Sequence, residues 1–91
     1  MTAFEYDAIR DKTQRTLVGF LTAEIDLGLT LTRSAVNTYD AGRTEYFSEA
    51  KEKATKAYHT VKRFVAQVAN GKIRQDIEAR LVDLVRAIAA L

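Results

Sequence analysis

No proline occurs in the 91 residues, and there are only four glycines. Proline ends helices and shapes the turns of loop-rich and β-rich folds, so a chain without it can form long unbroken helices. Over most of this chain, apolar residues recur at steps of three and four, which is the period of a helix that buries one face. These features predict an all-α fold, and 91 residues suffice for a single domain, residues 1–91.

Three helices account for this pattern, at about residues 4–36, 41–69 and 73–90. The first begins after Thr2, which has Glu5 three residues later, the spacing of a capping box. Short connections make neighbouring helices antiparallel. The sequence therefore predicts a three-helix antiparallel bundle, made of a long helical hairpin (4–36 and 41–69) and a shorter third helix.

The two connections are predicted where turn-forming residues interrupt the period. At 37–40, Asn37 suits the left-handed conformation that ends many helices, and Asp40 suits the cap of the next helix. At 70–72, Gly71 suits the position just past a helix end. We therefore expect the hairpin to reverse at 37–40 and the third helix to begin after Gly71.

Residues 23–32 alternate apolar and polar side chains without a break, which is the period of a half-buried strand. Every other segment is helical in pattern, so a strand here would pair only with a copy of itself. Helix is the prediction, and strand is the alternative. A helix with this pattern is apolar almost all the way round and must be covered on more than one side.

The third helix is predicted to be too short to cover the whole hairpin. From Gly71 it reaches only to about Glu24 on helix 1 and Lys51 on helix 2. The half of the hairpin nearest 37–40 would then expose an apolar patch larger than a soluble monomer usually shows. The residues predicted to contact a partner are Ile25, Leu27, Leu29, Leu31, Tyr39, Tyr46 and Phe47.

A second copy of the chain is the simplest partner for such a patch, because twofold symmetry pairs a surface with itself. We expect a non-catalytic protein that acts through self-association as a homodimer, or through another protein partner. The alternative is that helix 1 bends or ends early, so that a short helix covers the patch within one chain.

Glu24 is the one charged side chain in the middle of the apolar stripe of helix 1. Burying an unpaired carboxylate is costly, so Glu24 is expected to pair with Lys51 or Lys53, to be protonated, or to reach solvent. Catalysis would require a second acid or a base beside it, and no such residue stands at a recognisable spacing. The chain has no cysteine and a single histidine, so we predict no metal site and no cofactor.

Positive charge is concentrated in the second part of the chain. Residues 1–50 hold five Lys and Arg against eight Asp and Glu, and residues 51–91 hold nine against four. The alternative function is therefore binding of nucleic acid or an acidic partner through the basic 51–74 segment. On a helical wheel these residues spread around the outer half, which favours a solvated face. The candidate contacts are Lys56, Lys62, Arg63, Lys72 and Arg74.

No run of residues approaches the roughly 20 apolar residues of a membrane span, and the amino terminus is too polar for a secretory signal. We expect no membrane association and, by default, a cytoplasmic location.

Two stretches carry a resemblance: FLTAEIDLGLTLTRSA (20–35) and EAKEKATKAYHTVKRFV (49–65). An E-x-D-x helix followed by an A-x-x-A-Y-x-x-x-x-x-F helix resembles the paired helices of small uncharacterised all-helical bacterial proteins. The resemblance covers about a third of the chain and implies a helical hairpin without a known activity. The second stretch is also similar to a tetratricopeptide repeat, with Gly42, Ala54 and Tyr58 at its small, small and aromatic positions. The chain contains no second repeat.

Overall fold

The computed structural model describes residues 2–40 and 44–91, without the side chains of residues 4, 6, 7, 38–40 and 44. These residues form α1 (Ala3–Asp40), α2 (Thr44–Phe64), a 3₁₀ turn (Val65–Gln67) and α3 (Gly71–Ala89), with no strand in the part of the chain described. The prediction of an all-α three-helix bundle is confirmed. Residues 23–32 lie inside α1, so the strand alternative is wrong.

Two predicted caps differ in outcome. The capping box at Thr2 is confirmed: the Glu5 backbone N–H donates to Thr2 Oγ1 at 3.1 Å, and the Thr2 backbone N–H donates to Glu5 Oε2 at 3.3 Å. At 70–72 the prediction was wrong in detail, because Asn70 starts α3 instead of Gly71 ending α2. Asn70 Oδ1 accepts a hydrogen bond from the Ile73 backbone N–H at 3.0 Å and so satisfies one of the free donors of the first turn.

The hairpin reverses later than the sequence predicts. Asn37 lies within α1, which continues to Asp40, and α2 begins at Thr44. Residues 33–40 contain neither glycine nor proline, so nothing in them stops the helical hydrogen bonds from continuing. A later reversal changes which residues of α1 and α2 face each other, and Gly28 of α1 lies against Ala57 of α2. The predicted turn would have placed Gly28 about two helical turns earlier on α2.

This register changes what α3 covers. Contacts between α1 and α3 run in the same direction along both helices: Asp26 with Arg80, Gly28 with Leu84, and Val36 in one groove with Ala87 and Ala90. The prediction that the third helix reaches only to Glu24 was therefore wrong. α3 begins further along α1 than expected and covers it to Val36.

The core is a single cluster between the three helices. Its largest fully buried side chains are Leu21, Ile25, Val61, Val68 and Leu84. The one buried polar residue in the described part of the chain, Thr32, donates its hydroxyl to the Leu29 carbonyl at 2.8 Å. This bond removes the cost of burying the hydroxyl.

All three helices meet in close contact at Gly28. A Cβ atom at this position would lie 2.9 Å and 3.1 Å from the two methyl carbons of Leu84, and 3.6 Å from Ala57 Cβ. Leu84 is fully buried, so its methyl groups have little room to move away. Glycine therefore creates the space in α1 that Leu84 of α3 fills.

The connection between α2 and α3 is fastened to α1 by Gln14. The Gln14 Nε2 group donates to the Gln67 carbonyl at 3.1 Å, and Gln14 Oε1 accepts from the Ala69 backbone N–H at 2.8 Å. On the other side, the Arg74 guanidinium donates to the Val68 carbonyl at 3.1 Å. These three bonds satisfy backbone groups that a chain leaving a helix would otherwise present to water.

Residues 3–13 of α1 precede Gln14, which marks the level of this connection, and we call them the N-terminal arm. Every described side chain from Thr2 to Thr13 is exposed, including Ile9 at 55%. The molecule measures 59 × 20 × 16 Å, and its long axis is close to the length of about 57 Å expected for a 38-residue helix. Among the residues described, no helix combines the length and apolar character that crossing a bilayer requires.

The Gly28 contact predicts opposite effects for two glycine substitutions in α1. Gly19→Ala meets no atom within 4 Å and should raise the free energy of unfolding by about 0.5–1 kcal/mol through helix propensity. Gly28→Ala should lower the free energy of unfolding by about 1 kcal/mol, because crowding against Leu84 outweighs the same gain. Urea unfolding followed by circular dichroism measures both. Equal stabilisation by the two substitutions would show that the Gly28 contact imposes no constraint.

The Gln14 bonds predict that Gln14→Ala lowers the free energy of unfolding by about 1–2 kcal/mol, since two hydrogen bonds to the connection are lost. Gln67→Ala is the matched control, because it removes an exposed glutamine side chain and keeps the carbonyl that Gln14 bonds. Urea midpoints that are the same for both variants would contradict a stabilising role for Gln14.

Candidate functional site

The predicted interface residues do not form one surface. Ile25 is fully buried in the core, so its assignment as an interface residue was wrong: α3 extends past this level of α1 and covers it. Leu29 is half-buried and packs against the same core. Phe47 is also half-buried. The side chain of Tyr39 lies outside the described part of the structure.

Leu27, Leu31 and Tyr46 lie together on the side of the hairpin away from α3. Leu27 is 51% exposed, Tyr46 is 43% exposed, and Leu31 is half-buried. Phe20 lies two helical turns before Leu27, on the same side of α1, and is 45% exposed. We call this surface the hairpin face, with Phe20, Leu27, Leu31 and Tyr46 as its apolar residues.

Phe20 was not predicted as an interface residue. Its spacing of seven residues from Leu27 is a signal that could have identified the pair. The signal was ambiguous because positions seven apart share a face whether that face is buried or exposed.

A groove of about 450 Å³ runs along the centre of the hairpin face. α1 contributes Glu24, Leu27 and Leu31 to it, and α2 contributes Lys53, Lys56, Ala57 and Thr60. α3 contributes no residue. The groove thus combines an apolar strip on α1 with two positive side chains on α2.

Glu24 is half-exposed in this groove, at the level of Thr60. Of the described lysine and arginine side chains, none lies within 4 Å of the Glu24 carboxylate, so the expected ion pair with Lys51 or Lys53 does not form. Lys53 is bound instead to Glu49, with Nζ 3.4 Å from Oε1. Access to solvent, the third of the expected arrangements, is what the structure shows.

The groove has three charged side chains, and Lys53 is already bound to Glu49. Glu24 and Lys56 have no ion-pair partner among the side chains described in residues 2–40 and 44–91. One lies on each helix, on the two sides of the apolar strip. Apart from Lys53, the groove therefore presents one negative and one positive charge beside Leu27 and Leu31.

Tyr46 joins the two helices near the hairpin end. Its hydroxyl lies 3.0 Å from Ser34 Oγ, in a hydrogen bond across α1 and α2. The ring remains 43% exposed, so the bond orients the aromatic side chain without burying it. The hairpin face consequently has an exposed aromatic residue at each end, Tyr46 and Phe20.

The structure does not gather the predicted basic residues on one face. Lys62 lies over the ring of Tyr58 at 5.7 Å, whereas Arg63 lies over the ring of Phe64 at 5.3 Å. The other three are separate: Lys56 in the groove, Lys72 near Asp76 at 3.7 Å, and Arg74 bonded to the Val68 carbonyl. Binding of nucleic acid or an acidic partner through this segment stays a prediction.

Catalytic or metal chemistry has few candidate groups on the hairpin face. The neighbours of Glu24 in the groove are two lysines, a threonine and apolar side chains. Within the residues described, no cluster of three or more histidine, aspartate or glutamate side chains is placed to hold a metal ion.

Comparisons with protein-family models, with curated proteins and with solved structures found no match to this chain. The resemblances of 20–35 and 49–65 to helical bacterial proteins and to a tetratricopeptide repeat stay predictions.

Proposed function

We propose that this chain is a non-catalytic protein–protein interaction module that forms a homodimer through the hairpin face. The observation that carries the proposal is the exposure of Phe20 and Leu27 on the one side of the hairpin that α3 leaves open. In the groove, Leu27 lies beside Leu31 and Ala57 with polar side chains around them, and an exposed apolar surface rimmed by polar residues is typical of an interaction site.

The charges beside the apolar strip favour a second copy as the partner. In a twofold dimer every contact occurs twice. If one residue touches a second residue of the partner copy, then that second residue of the first copy touches the first residue of the partner. Glu24 and Lys56 have opposite charges, lie in the same groove and have no ion-pair partner among the described residues. Two copies packed groove to groove can pair each Glu24 with the Lys56 of the other copy.

The proposal moves the interface predicted from the sequence. Leu27, Leu31 and Tyr46 are retained, Ile25 is removed and Phe20 is added. Glu24 has a pairing role here and no chemical one. The cytoplasmic location and the binding of nucleic acid or an acidic partner remain predictions of the sequence.

A charge in the apolar strip should break the dimer. We expect Leu27→Glu to raise the dimer dissociation constant at least about tenfold. Each copy loses a leucine that becomes buried in the dimer, and a carboxylate is buried there in its place. Val82→Glu is the matched control: Val82 is 45% exposed, on α3, outside the hairpin face. Sedimentation equilibrium of the wild type and both variants measures the effect. A monomeric wild type at high micromolar concentration would refute the proposal, as would equal loss in both variants.

Reversing the charges tests the geometry of the pairing. Glu24→Lys and Lys56→Glu should each weaken self-association by about tenfold, since each places like charges together at two symmetric positions. An equimolar mixture of the two variants should form a heterodimer of near wild-type affinity. In that heterodimer the two introduced residues, one lysine and one glutamate, meet at one position, and the unchanged Lys56 and Glu24 meet at the other.

Sedimentation velocity of each variant and of the mixture distinguishes the outcomes. Recovery in the mixture requires the two residues to meet between chains, whereas an attraction within one chain would give no recovery. A mixture that sediments like the separate variants would exclude Glu24–Lys56 pairing across the interface.

A further inference from the structure

A second groove lies at the opposite end of the bundle, where the N-terminal arm meets the α2–α3 connection. We call it the turn groove. It measures about 410 Å³, which falls within the range of small-molecule sites. Its wall is formed by α1 around Val18, by Val68 and Ala69 of the connection, and by Ile73 in the first turn of α3. It shares no residue with the hairpin-face groove.

The floor of the turn groove is apolar and open. Val18 is half-buried, and Ile73 is 38% exposed although it is a large aliphatic side chain. Gly19 has no side chain, and a Cβ atom built there would have no neighbour within 4 Å. The space above the floor is therefore open. A short hydrocarbon chain would find in this groove the apolar contacts that Val18 and Ile73 leave unused.

The rim of the turn groove is positive. Arg10 and Arg15 line it and are exposed, and neither has an ion-pair partner among the described side chains. One carboxylate, Asp11, also lines it, so the rim carries a net positive charge. The amide of Gln14 is already engaged with the connection, and the two guanidinium groups are the charged donors that the rim offers a ligand. Guanidinium groups bind carboxylates through paired hydrogen bonds.

We propose that the turn groove binds a small amphiphilic carboxylate, with its acyl chain over Val18, Gly19 and Ile73 and its carboxylate at Arg10 and Arg15. Both requirements follow from the groove: the floor selects an apolar chain, and the charge of the rim selects an anion over a cation. The inference does not depend on the proposed dimer, since the two grooves are separate.

Octanoate, octan-1-ol and octylammonium are matched probes with the same chain length and different head groups. Each is titrated into isotopically labelled full-length protein below micelle-forming concentrations, and the backbone amide signals are followed by NMR. Octanoate should give saturable shifts confined to residues 10–19 and 68–73. Octanol should bind there about three- to fivefold more weakly, and octylammonium more weakly still, because each charged contact at an exposed rim adds modest affinity.

Two variants separate the apolar and the charged contributions. Gly19→Leu fills the open space above the floor without a clash at Cβ, so it should abolish octanoate binding while the circular dichroism spectrum stays helical. Arg15→Gln should weaken octanoate binding about three- to fivefold and leave octanol binding unchanged.

Several results would overturn the proposal. These are octylammonium binding as tightly as octanoate, shifts that fall on the hairpin face or spread over the surface, and octanoate binding that survives Gly19→Leu. Absence of saturable octanoate shifts would also overturn it, whatever the oligomeric state of the protein.

Discussion

The close approach of α1, α2 and α3 at Gly28 organises the molecule. Leu84 fills the space that a Cβ would occupy, with Ala57 alongside, so one contact sets the register of both α2 and α3 against α1. Fully buried Leu21, Ile25 and Val61 then pack in the layers around it. Small residues at a helix crossing let backbones approach and fix their relative position, because displacing the register would put a larger side chain into the same space.

This register determines which surfaces remain open. Since α1 is the longest helix and α2 pairs with its later part, residues 3–13 extend past the bundle. The turn groove forms where they meet the α2–α3 connection. Since α3 packs on one side of the hairpin, the other side keeps Phe20 and Leu27 exposed. The two candidate surfaces thus follow from the same packing arrangement, although they lie at different places on the molecule.

The two surfaces differ in their charges, and the charges suggest different partners. Beside Lys53, which is bound to Glu49, the hairpin face has the Glu24 carboxylate and the Lys56 ammonium group on opposite helices, a pattern that can be complementary to itself. The turn groove has two arginines against one aspartate, a pattern that attracts an anion. Apolar side chains supply the area for contact in both cases, and the polar groups around them decide what the area accepts.

The helical fold, the three-helix count and the Thr2–Glu5 cap could be predicted from the sequence, because periodicity and capping are local properties of a chain. The hairpin reversal was misplaced by four residues, since Asn37 is compatible with both a helix end and a helix interior. That error carried Ile25 into the predicted interface, although it is fully buried. The true positions of these side chains, and the roles of Gln14 and Gly28, emerge only from the packed helices. Contacts between residues distant in sequence depend on register, and no local pattern encodes register.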